Sequence, residues 1–409
     1  MKKTLIAFAA LSAIAGMAQA QSSVTLYGLV DVNLTSLKTN VVVGTGAGAS
    51  VQSITQTKID AGGLNGSRWG MRIREDLGGG MAAVANLESC FNADTGASGQ
   101  GGLLFGRRAN VGLATGFGTV TVGRNSSSYD DVSADHTMMG ASIFDPSNNN
   151  NGNSAGVAGT LGTVAGNAAF LSKGSNQTAT WVGFNTRFNN SIKYVSPNFG
   201  GFSGSVMYAF GEDKSVPATA NKASRSISAN LKFANGPLLI SGGYQTESTG
   251  GTLAFNGVAN VPGATANATT DSLKPALENT LLSVAYDLGV AKIGAGFNRA
   301  KYKDVNLAAG NNLGAGAIAA QKEYSLSVAV PCGATTLSAG VAQSKGDTLG
   351  KSTGYGVQAL YALSKRTTLY TGVASSKTYD RLAASTRQIA SASNIDRNTQ
   401  YALGVRHTF

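Results

Sequence analysis

Basic residues recur at even spacings in two short segments, where they could act together on passing ions. Arg68, Arg72 and Arg74 share one face of the first segment, and Arg187 and Lys193 share one face of the second. Alternate side chains of an extended strand point to opposite faces, so each set would line one wall. Charged groups at the narrowest point of a pore determine which ions pass. These residues are therefore candidate basic groups of a pore constriction.

Further charged residues are candidates for the same place. Arg107 and Arg108 are adjacent, so alternation predicts that only one of them faces inward, without saying which. Arg124 has the parity of its apolar neighbours and needs a bulge or a shift in order to point inward. The alternative for any one arginine is a position at the rim, against lipid headgroups. The candidate acidic groups are Glu88, Asp130, Asp131 and Asp135.

Segments with alternating apolar and polar residues could carry these side chains, and short turns follow every second segment. Each is close to the roughly 9–11 residues that a tilted strand needs to cross a bilayer. An even number lets both ends of a closed antiparallel barrel lie on one side. The sequence thus predicts an all-β fold, a sixteen-stranded antiparallel transmembrane β-barrel. Its segments are 24–34, 68–77, 81–91, 104–114, 119–124, 187–196, 202–210, 226–233, 238–245, 280–288, 291–302, 322–330, 335–344, 353–363, 367–379 and 398–409.

The beginning of the chain and its composition indicate an exported membrane protein. Lys2 and Lys3 precede an apolar run and an Ala-x-Ala cleavage site that ends at Ala20. Residues 1–20 are therefore expected to be a signal peptide, and residues 21–409 a single barrel domain. Charged residues are only 13% of the chain, against about 25% in soluble domains. The two cysteines, Cys90 and Cys332, fall at opposite ends of the predicted barrel wall and should be free thiols.

Several motifs together carry a family resemblance. They are Ser23–Gly28, Gly66–Gly70 leading into Glu75–Gly80, Phe117–Arg124, Asn190–Phe202 and the terminal strand with Tyr401 and Phe409. Together they resemble the Gram-negative general-diffusion porins, particularly those of β-proteobacterial type, over essentially the whole chain after residue 20. The resemblance implies an outer-membrane barrel with both mature ends in the periplasm. It also implies a homotrimer, and a terminal aromatic residue that the barrel assembly machinery recognises.

The resemblance further implies that the third external loop folds inward and narrows the pore. The candidate is the longest connection, Asn125 to about Thr186. Its first part would enter the lumen and its Asn-rich part would be exposed; the alternative is a surface loop throughout. By the same resemblance, the constriction arginines map onto Arg68, one of Arg107 and Arg108, and Arg187. The facing acids map onto Asp130 and Asp131, with Glu88 on the third strand.

The expected function is passive diffusion of small hydrophilic solutes and ions, with a preference for anions. After removal of residues 1–20 the chain has 30 basic residues (32 − 2) against 21 acidic ones, spread without the clustered run that nucleic-acid binding favours. No cofactor or metal is expected, and the partners are membrane lipid, lipopolysaccharide and solutes. The alternatives are a substrate-specific sugar or organic-anion channel and a receptor or adhesin. An enzyme is disfavoured because neither His136 nor His407 has an obvious catalytic partner.

Overall fold

The computed structural model describes residues 22–43, 50–148, 178–211, 225–248, 276–303, 306–307, 316–380 and 395–409. The predicted signal peptide lies outside these residues, as does most of the Asn-rich part of the long connection. Within them, no helix is both long enough and apolar enough to cross a membrane. The strands are β1 Ser23–Val43, β2 Ser50–Ala61, β3 Arg68–Gly78, β4 Met81–Cys90, β5 Arg108–Thr115, β6 Gly118–Ser126, β7 Arg187–Val195, β8 Phe202–Phe210, β9 Arg225–Asn235, β10 Leu238–Ser248, β11 Ala276–Asp287, β12 Lys292–Lys303, β13 Asn306–Leu307, β14 Gly316–Ala317, β15 Gln321–Cys332, β16 Thr335–Gly346, β17 Gly350–Ala362, β18 Thr367–Lys377 and β19 Ile395–Thr408.

Seventeen of these strands form one antiparallel sheet that closes on itself, and β13 and β14 form a separate small hairpin. Strand β1 pairs with β19 along one edge. Along its other edge it pairs with β3 through Ser23–Leu29 and with β2 through Val32–Val43. Because β2 and β3 together occupy one place in the wall, the barrel has sixteen strand positions (17 − 1). The predicted sixteen-stranded barrel is confirmed.

The outer and inner faces of the wall differ as alternation predicts. Outward side chains are apolar and exposed, for example Leu26 at 64%, Leu326 at 58% and Leu403 at 59%. Alternate residues on the same strands point inward and are polar or small. The wall closes where the Phe409 N–H donates to the Gly28 carbonyl and the Gly28 N–H donates to the Phe409 carbonyl, each at 3.0 Å.

The first hairpin is longer than the sequence predicts. Strand β1 continues to Val43 rather than ending near Leu34, and β2 was not predicted at all. Polar residues occupy both faces of β2, so it lacks the alternation by which the other strands can be recognised. Between β2 and β3 the chain turns inward, where the Asp31 carboxylate accepts hydrogen bonds from the N–H groups of residues 63, 64 and 65 at 3.2, 2.8 and 2.8 Å.

The tight turns lie where they were predicted, after every second strand. Gly236, between β9 and β10, has φ +55°, and Gly289, between β11 and β12, has φ +81°. These left-handed conformations favour glycine, which has no Cβ to clash. Cys90 ends β4 and is buried, whereas Cys332 ends β15 and is exposed. Both are free thiols, as predicted.

Candidate pore constriction

The long connection between β6 and β7, residues 127–186, lies inside the barrel where it is described; we refer to it as loop 3. Its first arm, 127–148, is hydrogen-bonded to the inner wall. The Tyr129 hydroxyl donates to Asn298 Oδ1 at 3.1 Å, and the Met138 N–H donates to Ser327 Oγ at 2.9 Å. The expectation that the first part of this loop enters the lumen is confirmed.

The second arm of loop 3, residues 178–186, is held by two carboxylates of the wall. Glu323 on β15 accepts a hydrogen bond from the Val182 N–H at 2.6 Å. Glu247 on β10 accepts one from the Asn185 N–H at 2.9 Å and another from the Asn185 side chain at 2.6 Å. Buried backbone donors need partners, and these two acidic side chains supply them. Both arms are therefore anchored on the same side of the barrel.

Inward glycines make room for the loop on that side. A Cβ at Gly243 would lie 2.8 Å from Val132, and one at Gly340 would lie 2.8 Å from the Met139 sulfur. At Gly356 it would overlap the carbonyl oxygen of Phe144. Apolar residues of the loop then pack into two buried clusters, which leaves the opposite wall facing the open lumen. The clusters are Leu64, Met139, Phe144, Tyr370, Ala374 and Ala402, and Tyr129, Val132, Trp181, Phe184, Leu281 and Ala342.

The opposite wall begins with the three arginines of β3. Arg68, Arg72 and Arg74 lie at positions that pair with the inward residues of β1, as alternation predicts. The Arg72 guanidinium lies 4.0 Å above the ring of Tyr27, whose hydroxyl donates to Glu88 at 2.7 Å. Tyr27 therefore braces both a basic and an acidic group. It was not recognised from the sequence, although its inward parity on β1 was readable.

Arg107 and Arg108 both belong to this wall, so the expectation that only one of them faces inward is wrong. Arg108 begins β5 and is registered opposite Glu88, on the inward face. Arg107 precedes the strand and is not bound by its alternation. Its N–H donates to the Glu88 carbonyl at 3.0 Å, and its guanidinium forms an ion pair with the Glu88 carboxylate. Alternation applies only within a strand, and the strand starts later than expected.

A bulge between β6 and β7 changes the faces of the next residues. The pairing passes from Gly123↔Ser191 to Asn125↔Phe188, so two residues of β7 lie opposite Arg124 alone. Arg124 is buried and donates to the Gly106 carbonyl at 2.7 Å and to Asn189 Oδ1 at 2.6 Å. The irregularity that Arg124 requires is thus present.

The same bulge corrects one detail of the predicted strand at 187–196. Counting alternate residues back from Ile192 and Tyr194, which are exposed on the outer face, would place Phe188 on the lipid-facing side. In the structure it packs inside the barrel with Met207 and Ala209. A bulge inserts one unpaired residue and so reverses the alternation beyond it. Arg187, the first residue of β7, is buried as well and so does not alternate with Phe188. It donates to Thr186 Oγ1 at 2.8 Å, and its charge interacts with those of Asp130 and Glu88.

The acidic residues of loop 3 meet lysines of the neighbouring wall. Asp131 pairs with Lys193 at 2.6 Å and accepts a hydrogen bond from Ser205 at 3.1 Å. Asp135 pairs with Lys232 at 2.9 Å. Lys232 was missed as a site residue, although it shares the polar face of β9. Burial raises the pKa of Asp130, while the nearby Arg187 acts in the opposite direction.

Basic groups outnumber acidic ones where these elements meet. The nine basic residues against four acidic ones give a formal balance of +5 (9 − 4), and three of the acids already form ion pairs. A recess of about 590 Å³ opens beside them into the lumen and is lined in part by Arg72, Arg108 and Lys193. The basic set is Arg68, Arg72, Arg74, Arg107, Arg108, Arg124, Arg187, Lys193 and Lys232, and the acidic set is Glu88, Asp130, Asp131 and Asp135.

Loop 3 also contains a histidine, a serine and an aspartate in contact. His136 Nε2 lies 3.1 Å from Ser147 Oγ, and Ser147 Oγ donates to Asp145 at 2.7 Å. The carboxylate binds the serine rather than the histidine, and all three side chains are buried. A catalytic triad needs the opposite order and an accessible nucleophile, so this group is a structural lock. Among the described residues, no group of three or more His, Cys, Asp or Glu side chains could hold a metal ion.

The stability of this lock should depend on pH through two opposing groups. Burial lowers the pKa of His136 to about 3 and raises the pKa of Asp145 to about 6. As the pH falls below 6.5, His136 is protonated in the unfolded chain but stays neutral in the fold, so it lowers the free energy of unfolding. Between pH 6 and 3.8 the opposite holds for Asp145, which is protonated in the fold first and therefore raises the free energy of unfolding. In wild type the two effects should largely offset each other down to about pH 4, below which only the loss through His136 continues.

The variant Asp145→Asn removes the compensating carboxyl group and should make the destabilising effect of His136 at low pH visible. Its stability should begin to fall near pH 6.5 and be about 3 kcal/mol lower at pH 4, because each pH unit below the ordinary pKa of histidine costs about 1.4 kcal/mol. Thermal unfolding of the purified barrel between pH 7 and 4 measures this, with wild type as the control. Parallel curves for the two proteins would contradict the assignment.

Comparison with known proteins identifies the family. The family model described as Gram-negative porin matches residues 7–381. The chain belongs to this family. The porin is 34% identical to outer membrane porin protein 32 of Delftia acidovorans over 304 residues, which are 74% of this chain and 71% of the relative. It is also 34% identical to an outer membrane porin protein of Bordetella pertussis over 256 residues, 60% of this chain and 59% of the relative.

A solved structure supports the same assignment. The anion-selective porin from Comamonas acidovorans superposes with a TM-score of 0.67 at 25% identity, covering 95% of this chain and all of that one. The membership places this porin in the outer membrane of a Gram-negative bacterium, as the resemblance implied. The short turns are then assigned to the periplasmic side and the long loops to the cell exterior, following the usual asymmetry of such barrels.

Proposed function

We propose that this porin forms a water-filled channel for small hydrophilic solutes in which the nine basic residues of the constriction favour anions. The observation that carries the proposal is the formal excess of five positive charges where loop 3 faces strands β3 to β9. Three of the four acids there are engaged by Arg107, Lys193 and Lys232. The solved porin from Comamonas acidovorans is described as anion-selective, which supports the same preference here.

The proposed mechanism is electrostatic and needs no bound cofactor. Loop 3 occupies one side of the lumen and confines the path of ions to the basic wall. Close to low-dielectric protein, fixed charges act on a passing ion more strongly than they would in bulk water. Arginine keeps its charge and presents several donors to an anion, so a chloride or carboxylate exchanges water for guanidinium contacts along the wall. A sugar-specific channel would need a row of aromatic side chains exposed to the lumen. The aromatic side chains of loop 3 are instead buried against the barrel wall, which favours unspecific diffusion.

The reversal potential in a KCl gradient across a planar bilayer tests this proposal. Wild type should give a potential of anion sign. Arg68→Ala combined with Arg187→Ala should move it toward zero, whereas Arg366→Ala in a periplasmic turn should leave it unchanged. A wild-type potential of cation sign would contradict the anion preference, and a folded barrel without conductance would contradict the channel.

We further propose the remaining features that the family resemblance implies. These are cleavage after residue 20, assembly into a homotrimer, and recognition of the last strand by the assembly machinery through Tyr401 and Phe409. The exposed outward positions of both aromatic residues, at 54% and 50% exposure, support the last of these. Deletion of Phe409 should reduce the amount of folded barrel in the outer membrane without changing secretion to the periplasm, which fractionation of cells measures.

A further inference from the structure

Between β2 and β3 the chain leaves the wall of the barrel and folds into the lumen; we refer to residues 62–67 as the insert. At this level the ladder between β1 and its neighbour is interrupted. The backbone of Asp31 bridges the gap. Its carbonyl accepts a hydrogen bond from the Gly62 N–H at 3.0 Å, and its N–H donates to Ser67 Oγ at 3.0 Å. The insert therefore begins and ends at one residue of β1.

The side chain of Asp31 holds the insert from inside the barrel. Its carboxylate accepts hydrogen bonds from the backbone N–H groups of residues 63, 64 and 65 and from the Tyr370 hydroxyl. Asp31 has no exposed surface, and Tyr370 is buried beside it. Hydrogen bonds to an ionised acceptor are roughly twice as strong as those between neutral groups. This carboxylate is therefore the main polar support of the insert.

On one side the insert is joined to loop 3. The Ile143 N–H, in the first arm of the loop, donates to the Gly63 carbonyl at 2.9 Å. The Leu64 side chain is buried and packs in one cluster with Met139 and Phe144 of the same arm. The insert and the first arm thus form one packed unit, and release of the insert would loosen the arm.

On its other side the insert holds two arginines. Arg68 Nε donates to the Gly66 carbonyl at 2.9 Å, and Arg406 Nη1 donates to Asn65 Oδ1 at 2.7 Å. Arg406 is registered directly opposite Asp31 and shares its inward face. It was missed as a site residue, although it lies on the polar face of the last strand. The insert therefore fills the interval between loop 3 and the basic wall.

We propose that Asp31 is a positioning residue of the pore, which through the insert sets the width of the constriction and the place of Arg68 in it. This inference rests on the proposed channel function and adds a second constricting element to loop 3. Removing the negative charge of Asp31 would by itself make the lumen more basic and increase the preference for anions. Release of the insert has the opposite effect, because a wider opening separates passing ions from the basic groups and weakens their attraction.

The variant Asp31→Asn distinguishes the two roles. An amide can accept hydrogen bonds only through its oxygen, and its N–H groups face the donors that the carboxylate accepts from. We expect a larger single-channel conductance than in wild type and a reversal potential in a KCl gradient that moves toward zero. A potential that moves away from zero would show that Asp31 acts through its charge alone and would overturn the proposal.

Asp287→Asn supplies the matched control. This carboxylate lies in a periplasmic turn and likewise accepts a hydrogen bond from a backbone N–H, that of Gly289, at 2.9 Å. The substitution removes the same charge without touching the insert. Both the conductance and the reversal potential should stay at their wild-type values.

The native thiol of Cys90 reports on the insert. Cys90 is buried, and a Cβ at Gly66 would lie 3.7 Å from its sulfur. Cys332→Ser removes the exposed thiol, so that a charged methanethiosulfonate reagent can modify only Cys90. Modification should be about 10-fold faster when Asp31→Asn is added, since the loss of one net hydrogen bond shifts an equilibrium by roughly that factor. An unchanged rate would show that the carboxylate does not hold the insert in place.

Leu64→Ala keeps the proposal testable if Asp31→Asn does not fold. It leaves every charge and the carboxylate of Asp31 in place, and it removes only the packing of the insert against loop 3. Conductance should again rise and the potential should move toward zero. Wild-type conductance in either folded variant would overturn the coupling of the insert to the pore. Absence of conductance in folded wild type would instead contradict the channel, so the two failures are distinguishable.

Discussion

Replacing Arg72, Arg74 and Arg108 with glutamate is expected to change the sign of the reversal potential from anionic to cationic. The triple variant alters the formal balance at the constriction by six charges, from +5 to −1. Ions respond to the few groups at the narrowest point rather than to the net charge of the chain. A KCl gradient across a planar bilayer measures the sign directly.

These three arginines suit the experiment because replacing them breaks none of the ion pairs found among the described residues. Within the described residues, the ion pairs of the constriction involve Arg107, Lys193 and Lys232 instead. The cost to the fold includes the contact between Arg72 and the ring of Tyr27, which is worth about 0.5–1 kcal/mol at an exposed site. A barrel of this size should tolerate that loss, so the variant should insert and conduct.

A variant with the same change of net charge on the outer face supplies the control. Arg299→Glu, Lys322→Glu and Lys345→Glu, at exposed positions of β12, β15 and β16 with the parity of the lipid-facing residues, also change the net charge by six, but on the far side of the wall. At 0.1 M salt the screening length is about 10 Å, so their field at the lumen is weak. In bilayers without lipopolysaccharide this control should keep the anionic sign. A change of sign in both variants would show that overall charge controls selectivity and would contradict the assigned constriction.

The barrel could be predicted because the side chains of each strand reflect the two environments that the strand separates. The alternation in segments such as 202–210 and 322–330 placed lipid-facing and lumen-facing residues, and the structure preserves those faces. Turn glycines such as Gly289 marked the periplasmic ends. Arg68, Arg72 and Arg74 could be assigned to the lumen by the same local rule. Strand β2 could not, because it projects beyond the region where alternation is required.

Features that depend on two distant segments were not readable from one strand. The bulge at Arg124 exists only in the pairing of β6 with β7, and it moves Phe188 to the inside. Lys232 becomes part of the constriction because Asp135 of loop 3 reaches it. The stacking of Trp181 on His136 likewise joins two arms of the loop that are 45 positions apart (181 − 136). Pairing and packing, rather than periodicity, determine these contacts.

Replacing Trp181 with alanine is expected to release loop 3 from the wall and to raise the single-channel conductance. Trp181 is fully buried and stacks on His136 with ring centroids 4.7 Å apart and planes 15° apart. Its Nε1–H donates to the Tyr324 carbonyl at 3.2 Å. Truncating a buried tryptophan typically costs about 3–5 kcal/mol. The side chain joins the two arms of the loop to each other and to β15. Its removal should therefore reduce the free energy that holds loop 3 against the wall.

The other tryptophan of the chain provides a matched control. Trp69 on β3 is half-buried on the outer face, where its ring contacts Phe105 edge-on at 6.1 Å. Trp69→Ala removes the same chemical group without touching loop 3, so it should lower the unfolding temperature and leave the conductance unchanged. Wild-type conductance in a correctly folded Trp181→Ala barrel would contradict the role of this residue.

Trp69→Phe makes Trp181 the only tryptophan, so its fluorescence reports directly on the docked loop. In the docked state iodide should hardly quench it, because the ring has no exposed surface. Adding His136→Ala removes the stacked ring beneath it and should increase both quenching and conductance. The two readouts should change together, since one packing contact excludes the quencher from the ring and keeps the loop in the path of ions. Quenching that rises without a change in conductance would separate loop docking from pore size and show that another element narrows the channel.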